Sequence, residues 1–164
     1  VREWQRLETR TAGWQAGTLL WFRGRRVALE VGSDVAVLGD EVVSLGGASR
    51  SIRAAVERHL WEMARRHLPV RLTTLSAERS LPPANVSVRN QRSRWGSCST
   101  RGTIALNWRL IQMPAEVSDY VILHELAHRR QPNHSSKFWR EVEALCPWWR
   151  DAERWLRRHG KELL

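Results

Sequence analysis

The sequence predicts an α+β fold, with a small, mainly antiparallel sheet built from hairpins and a run of helices after it. Three observations predict this. The first fifty residues read as short strands separated by turns. The last third carries apolar residues at helical spacing. Strand and helix patterns do not alternate in the regular way that builds a parallel α/β sheet.

Taken in order, residues 1–16 carry no clear pattern and are read as an extended N-terminal segment of one domain spanning 1–164. Residues 17–23 (GTLLWFR) are apolar and rich in strand formers; Gly24-Arg25-Arg26 interrupts them and 27–31 (VALEV) follows, a hairpin pattern. Residues 35–38 and 41–45 flank Gly39-Asp40, which reads as a second hairpin. Gly46-Gly47 ends that pattern. Ser49 or Ser51 then caps a helix over 50–67, with Ile52, Val56, His59, Leu60 and Met63 on one face. Pro69 is expected to close this helix, and 70–75 reads as a strand. Leu81-Pro82-Pro83 marks a loop. Extended structure resumes at 86–89, and 94–100 can pair with 103–107 across Arg101-Gly102. Met113-Pro114 opens a helix expected to run to Arg130, with Pro at its first position and Pro132-Asn133 as its stop. Another helix starts at Ser135 or Ser136 and runs to Cys146. The last spans 147–160 and ends on Gly160, a common helix terminator.

Composition narrows the functional classes. At 164 residues one domain is the default. A hydrophobic content of 42% excludes a disordered chain, and 10 Gly with 6 Pro exclude a collagen-like one. Two cysteines cannot build a disulfide scaffold, so Cys98 and Cys146 are expected as free thiols in a reducing cytoplasm. No apolar run approaches the roughly 18 residues of a membrane span, and the opening VREWQRLETR lacks the apolar core of a secretory signal. No membrane partner is expected. Lys and Arg together number 27 against 17 acidic residues, a formal charge of +10. Almost all of these cations are arginines, which suits phosphate recognition.

Residues 124–128 read His-Glu-Leu-Ala-His. On a helix, positions i and i+4 share a face one turn apart, so His124 and His128 can bind one metal ion. Glu125 lies about 100° further round, where its carboxylate can reach an attacking water without taking a coordination position. In a chain of this composition the pattern arises by chance in roughly 2% of random orders. His134, just past Pro132-Asn133, supplies a third imidazole; Glu141 or Glu143 could take that place instead. Three neutral imidazoles favour one Zn2+ per chain over Mg2+ or Ca2+. Three protein ligands leave a fourth position open, which marks a catalytic site. Protein or peptide is the expected substrate, with Glu125 as general base.

The oxyanion of the reaction needs a donor besides the metal. Tyr120, one turn before His124, is a candidate, as are Arg94 and His159. Asp119, Asn107 and Glu141 are candidate acceptors for the outer nitrogens of the imidazoles. Either 103–107 or the WGSCS stretch could offer an edge to an extended substrate. Trp95, Trp108 and Trp139 could line or support the cleft. Arg89, Arg92, Arg94 and Arg101 before the motif, Arg129 and Arg130 after it, and Arg154, Arg157 and Arg158 near the end could instead follow a nucleic-acid backbone. That reading makes the chain a basic nucleic-acid-binding module, or a DNA-associated protease, and its metal site structural or vestigial in the first case.

Five blocks carry a family resemblance: Trp95-Gly96-Ser97-Cys98; Leu106-Asn107-Trp108-Arg109-Leu110; 119–128; Asn133-His134-Ser135; and Phe138-Trp139. They resemble the YgjP-like zinc metallopeptidases, relatives of the SprT-like and WLM-type proteases. The resemblance is specific from residue 89 to 160 and looser over 17–88. It implies a zincin-like fold, His124, His128 and His134 as zinc ligands, and Glu125 as the catalytic residue. The ligand spacing also matches the metzincins, but Gln131 stands where those have Gly, and no Met-turn pattern follows.

Overall fold

Alternating burial along Leu19–Phe22 (β1) puts Leu20 and Phe22 inside and Leu19 outside, the period-two pattern of a sheet with one wet face. The computed structural model describes residues 13–46, 51–82 and 84–163. β1 pairs antiparallel with β2 (Arg25–Ala28). The turn between them needs a left-handed backbone at Arg23 (φ 47°) and Gly24 (φ 77°). A Cβ on Gly24 would lie 2.8 Å from Pro114, so this glycine also seats the hairpin against the start of the metal-motif helix.

β3 (Glu30–Val31), β4 (Val35–Leu38) and β5 (Glu41–Ser44) form a second antiparallel sheet, in the order β3-β4-β5. The third sheet has the order β6-β8-β7, from Val86–Arg89, Ile104–Asn107 and Gly96–Cys98. Within it β6 runs parallel to β8, the one parallel pair among the described residues, and β7 runs antiparallel. The α+β class holds, with its strands divided over three small sheets. Both expected hairpins and the expected 94–100/103–107 pairing are present.

The first helix departs from expectation. α1 runs from Ile52 to Glu78, with Pro69 inside it and no strand at 70–75. Leu68, Leu72 and Leu75 continue its buried face, each burial contributing about 1.5–3 kcal/mol. Together they exceed the roughly 3 kcal/mol that an interior proline costs. The Thr73 and Thr74 hydroxyls donate to the carbonyls of Pro69 and Val70, 3.0 Å in each case, in the turn after the proline. The extension delivers Arg71 to Asp119, a two-pronged contact at 2.8 and 2.6 Å. Ser51 is the N-cap, accepting from the Ala54 amide at 3.4 Å. Ser49 and most of the 1–16 segment lie outside the described residues.

A 3-10 turn at Trp108–Gln112, unmarked in the sequence, leads into α2 (Ala115–Ala127). Pro114 is the N-cap and not the first helical residue, so the helix starts one residue later than expected, and it ends three residues short of Arg130. Ten of its residues are buried, Val117–Leu123 and Glu125–Ala127, because α1, the third sheet and two later helices surround it. α3 (Ser136–Leu145) starts where expected, with Ser135 as its N-cap. α4 (Trp149–Leu163) passes straight through Gly160. That glycine serves close approach and not termination: a Cβ there would meet the Trp95 ring at 3.2 Å. Trp21 ties β1 to α4 by donating its indole N–H to Glu162 at 2.7 Å and by packing edge-on to Trp155 at 5.3 Å. Both cysteines are free thiols. No helix among the described residues is long and apolar enough to cross a membrane.

Candidate active site

α2 carries His124 and His128 one turn apart, with His128 as its C-cap residue. The chain turns back immediately: the Gln131 amide donates to the Ala127 carbonyl at 3.0 Å. Pro132-Asn133 then reverses it, and His134 returns to the same place. The three Nε2 atoms converge, His128 to His134 at 3.1 Å and His134 to His124 at 3.2 Å. Tetrahedral coordination at roughly 2.0–2.1 Å separates ligand nitrogens by about 3.3 Å, so this cluster matches the size of a zinc site. Among the described residues these three are the group of metal-ligating side chains able to hold one ion. Glu141 and Glu143 take no part. Their carboxylates accept from Arg130 at 2.6 Å and Arg150 at 2.7 Å.

The donor chemistry agrees with the spacing. His128 Nδ1 lies 3.1 Å from the Gln131 carbonyl, which can only accept. Nδ1 therefore carries the hydrogen, and Nε2 presents a lone pair. His124 Nδ1 lies 3.3 Å from the Tyr120 hydroxyl, whose own hydrogen goes to Glu153 at 3.1 Å. Phe138, fully buried, sits under all three imidazoles at centroid distances of 4.9, 4.4 and 4.8 Å. The Ser135 cap fixes where α3 begins and so where Phe138 lands. Trp139 packs beside His124 and His134, at 5.9 and 6.0 Å, as support and not as cleft lining.

Glu125 packs against β7. It is 7% exposed, and burial pushes its carboxyl up to about 7, with the Arg94 charge pulling the other way. The contact with β7 depends on Gly96, because a Cβ there would lie 2.7 Å from Glu125 Cγ and 2.8 Å from Oε1. Asn107 holds that strand's entry in place. Its Nδ2 donates to the carbonyls of Gln91 at 2.8 Å and Arg94 at 3.1 Å. Thus Asn107 braces the crossing loop and does not reach the imidazoles. Asp119 does not reach them either, being occupied by Arg71.

A cavity of about 300 Å3 opens beside His124 and Glu125, walled by Trp95, Tyr120, Val121 and Leu156, with Arg94 also lining it. Arg94 therefore stands where an oxyanion donor could act. Tyr120 lines the same cavity, and its hydroxyl sits against Nδ1 of His124, while Nε2 is the atom that faces the cluster. Burial, with the Glu153 carboxylate adding to it, holds that hydroxyl well above its usual range, so it remains a neutral O–H. His159 does not line the cavity. It packs on Trp21 at 4.8 Å and on Trp155 at 5.1 Å.

Of the two strands considered for substrate pairing, β8 is central and both its edges are filled, whereas β7 is an edge. The Trp95 carbonyl and the Ser99 amide bond towards β8. In an antiparallel ladder the alternate residues Gly96 and Cys98 then turn their N–H and C=O outward.

Of the basic residues near the site, Arg130, Arg154 and Arg157 are engaged with Glu141, Asp151 and Glu153. Arg92, Arg94 and Arg101 are exposed.

Burial lowers the His124 imidazole to about 4, and its two histidine neighbours add to this. Its folded value lies below its unfolded one, so its contribution to stability is lost as pH falls from about 6.5 towards 4. Glu125, raised to about 7, gains stability over an overlapping window as pH falls towards its unfolded value of about 4.3. In the metal-free chain the two oppose each other. Metal-free Glu125→Gln is therefore expected to lose melting temperature between pH 7 and 5 more steeply than metal-free wild type. Parallel melting curves from the two would contradict these environments.

The sequence reading missed Glu153 and Phe138 and gave Gly96 no role. Gly96 and Phe138 belong to blocks already singled out there, so the signal was present without its geometry. Glu153 carries no local signal at all, since it meets Tyr120 across 33 residues.

A model of the family described as "YgjP-like, metallopeptidase domain" matches residues 1–159. No curated protein matches the chain. Among solved structures, the chain is similar to the metallopeptidase zymogen abylysin of Pyrococcus abyssi. Identity is 29% with a TM-score of 0.44, over 63% of this chain and 92% of that one. It is also similar to the metallopeptidase zymogen jannalysin of Methanocaldococcus jannaschii, at 24% identity and a TM-score of 0.41, over 45% and 76% of the two chains.

Proposed function

The chain belongs to the YgjP-like metallopeptidase family, and we propose that it hydrolyses peptide bonds with one zinc ion on His124, His128 and His134 and with Glu125 as general base. One observation carries this reading: three imidazole nitrogens aim at one point, with a buried carboxylate on the adjacent face of the same helix.

A zinc ion held there would supply Lewis acidity to the scissile carbonyl and make a water acidic near neutral pH. The protein's own groups do the rest. Glu125 takes the proton of the attacking water and passes it to the leaving amine, which breaks the C–N bond. A carboxyl pushed up to about 7 suits both halves of that transfer near neutral pH. The β7 edge pairs with an extended substrate through Gly96 and Cys98, and so lays the scissile bond beside Glu125. The Trp95, Val121 and Leu156 walls suit the cavity to an apolar substrate side chain. Arg94, which lines the cavity, serves in this reading as the donor to the oxyanion.

The test is metal content together with proteolysis. Purified protein should contain about one zinc per chain and cleave an unstructured protein substrate. A chelator should abolish cleavage, and zinc should restore it. His134→Ala should lose both metal and activity. Full zinc content in that variant would remove His134 from the ligand set, and chelator-resistant cleavage would remove the metal from the mechanism.

A further inference from the structure

We propose that Glu153 is a positioning residue for the metal site: through the Tyr120 hydroxyl it dictates which nitrogen of His124 carries the hydrogen. This rests on the reading that His124 binds metal through Nε2.

The argument turns on one hydrogen atom. The Tyr120 oxygen stands 3.3 Å from His124 Nδ1 and 3.1 Å from Glu153 Oε1. A hydroxyl has a single hydrogen to give and two lone pairs to receive with. A carboxylate only accepts, so the Tyr120 hydrogen must go to Glu153. The opposite orientation would set the hydroxyl's lone pairs against the carboxylate's. With its hydrogen committed, Tyr120 can only accept from His124, and Nδ1 must be the protonated nitrogen. The Nε2 lone pair is then free for the metal.

Remove the carboxylate and the constraint disappears. The Tyr120 hydrogen can swing to Nδ1, which moves the ring hydrogen to Nε2, where it blocks the ligand position. His128 needs no such device, because a backbone carbonyl fixes its Nδ1–H directly. His124 lies inside the helix, where the i−4 backbone carbonyls are already used, and a side-chain relay takes their place. Arg157 donates to the second oxygen of Glu153 at 3.1 Å and holds the carboxylate turned towards Tyr120.

Two readouts test this on the full chain. In the metal-free protein, ring 15N chemical shifts report the His124 tautomer. Wild type should show Nδ1–H, and Glu153→Leu, which leaves no acceptor, should shift towards Nε2–H. Zinc affinity is measured on stripped protein by competition with a chromophoric chelator. Glu153→Leu and Tyr120→Phe should each weaken it by roughly 10–100-fold. In the Tyr120→Phe background, Glu153→Leu should have almost no further effect, because the two act in series. Unchanged tautomer and affinity in Glu153→Leu would overturn the proposal, and so would independent effects that multiply in the double variant. Either result leaves the metal-site reading standing, whereas a wild-type chain that binds no zinc overturns both.

Discussion

Glu125→Gln is expected to lower kcat by about 10²–10⁴-fold, the usual contribution of a positioned acid–base group, while zinc content stays unchanged. The substitution keeps shape and volume but removes the basic oxygen. Glu125 is not one of the three clustered ligand groups, so their nitrogens are kept in the variant. Fold stability should hold too, because the change replaces a buried ionisable group by a neutral one of the same shape. The informative comparison is kcat against zinc per chain on the same sample. Residual activity within a few-fold of wild type would assign the proton transfer to another group.

Gly96→Ala should come next in size and fail for a different reason. Its Cβ would meet Glu125 Cγ at 2.7 Å and the carboxylate oxygen at 2.8 Å, contacts that real Cβ atoms do not make. Glu125 is buried and cannot swing into solvent, so either its carboxylate or β7 must shift. A displacement of about 1 Å at a catalytic group costs on the order of 10²-fold in rate. The same shift moves the open edge of β7, so KM should rise alongside the fall in kcat. Zinc content should stay near one per chain. Wild-type kinetics in Gly96→Ala would mean that Glu125 does not need its place against β7. Loss of zinc would mean that β7 supports the ligands as well.

The parts legible in the sequence are those whose causes are local. His124, Glu125 and His128 share one helix, and His134 follows a Pro-Asn stop, so eleven consecutive residues set the cluster. The Ser135 cap and the turn at Gly39-Asp40 are local in the same sense. Pro69 misled because its local cost is outweighed by Leu68, Leu72 and Leu75, whose burial depends on what α1 packs against. Gly160 misled because a glycine also serves where another element comes close, and the Trp95 ring that presses on it comes from a distant loop. The edge or central status of β7 and β8 is a property of sheet order, which neither strand's own residues encode. Tyr120 was correctly placed on the His124 face, but the partner that orients its hydroxyl comes from the last helix.

The two halves of the centre differ in how far the chain must travel to build them. His134 returns to His124 across ten residues, while Tyr120 meets Glu153 across 33. By loop-closure entropy the longer connection costs about 1 kcal/mol more, before counting the sheet that must form to bring Gly96 against Glu125. The gathering of the three imidazoles is thus a product of short-range contacts, and the orientation of His124 and the seating of Glu125 against β7 are products of long-range ones. Partial unfolding that frees α4 would leave the three imidazoles gathered over Phe138 while removing the carboxylate that orients Tyr120 against His124. In this architecture, collecting the imidazoles and orienting them are separable events in one chain.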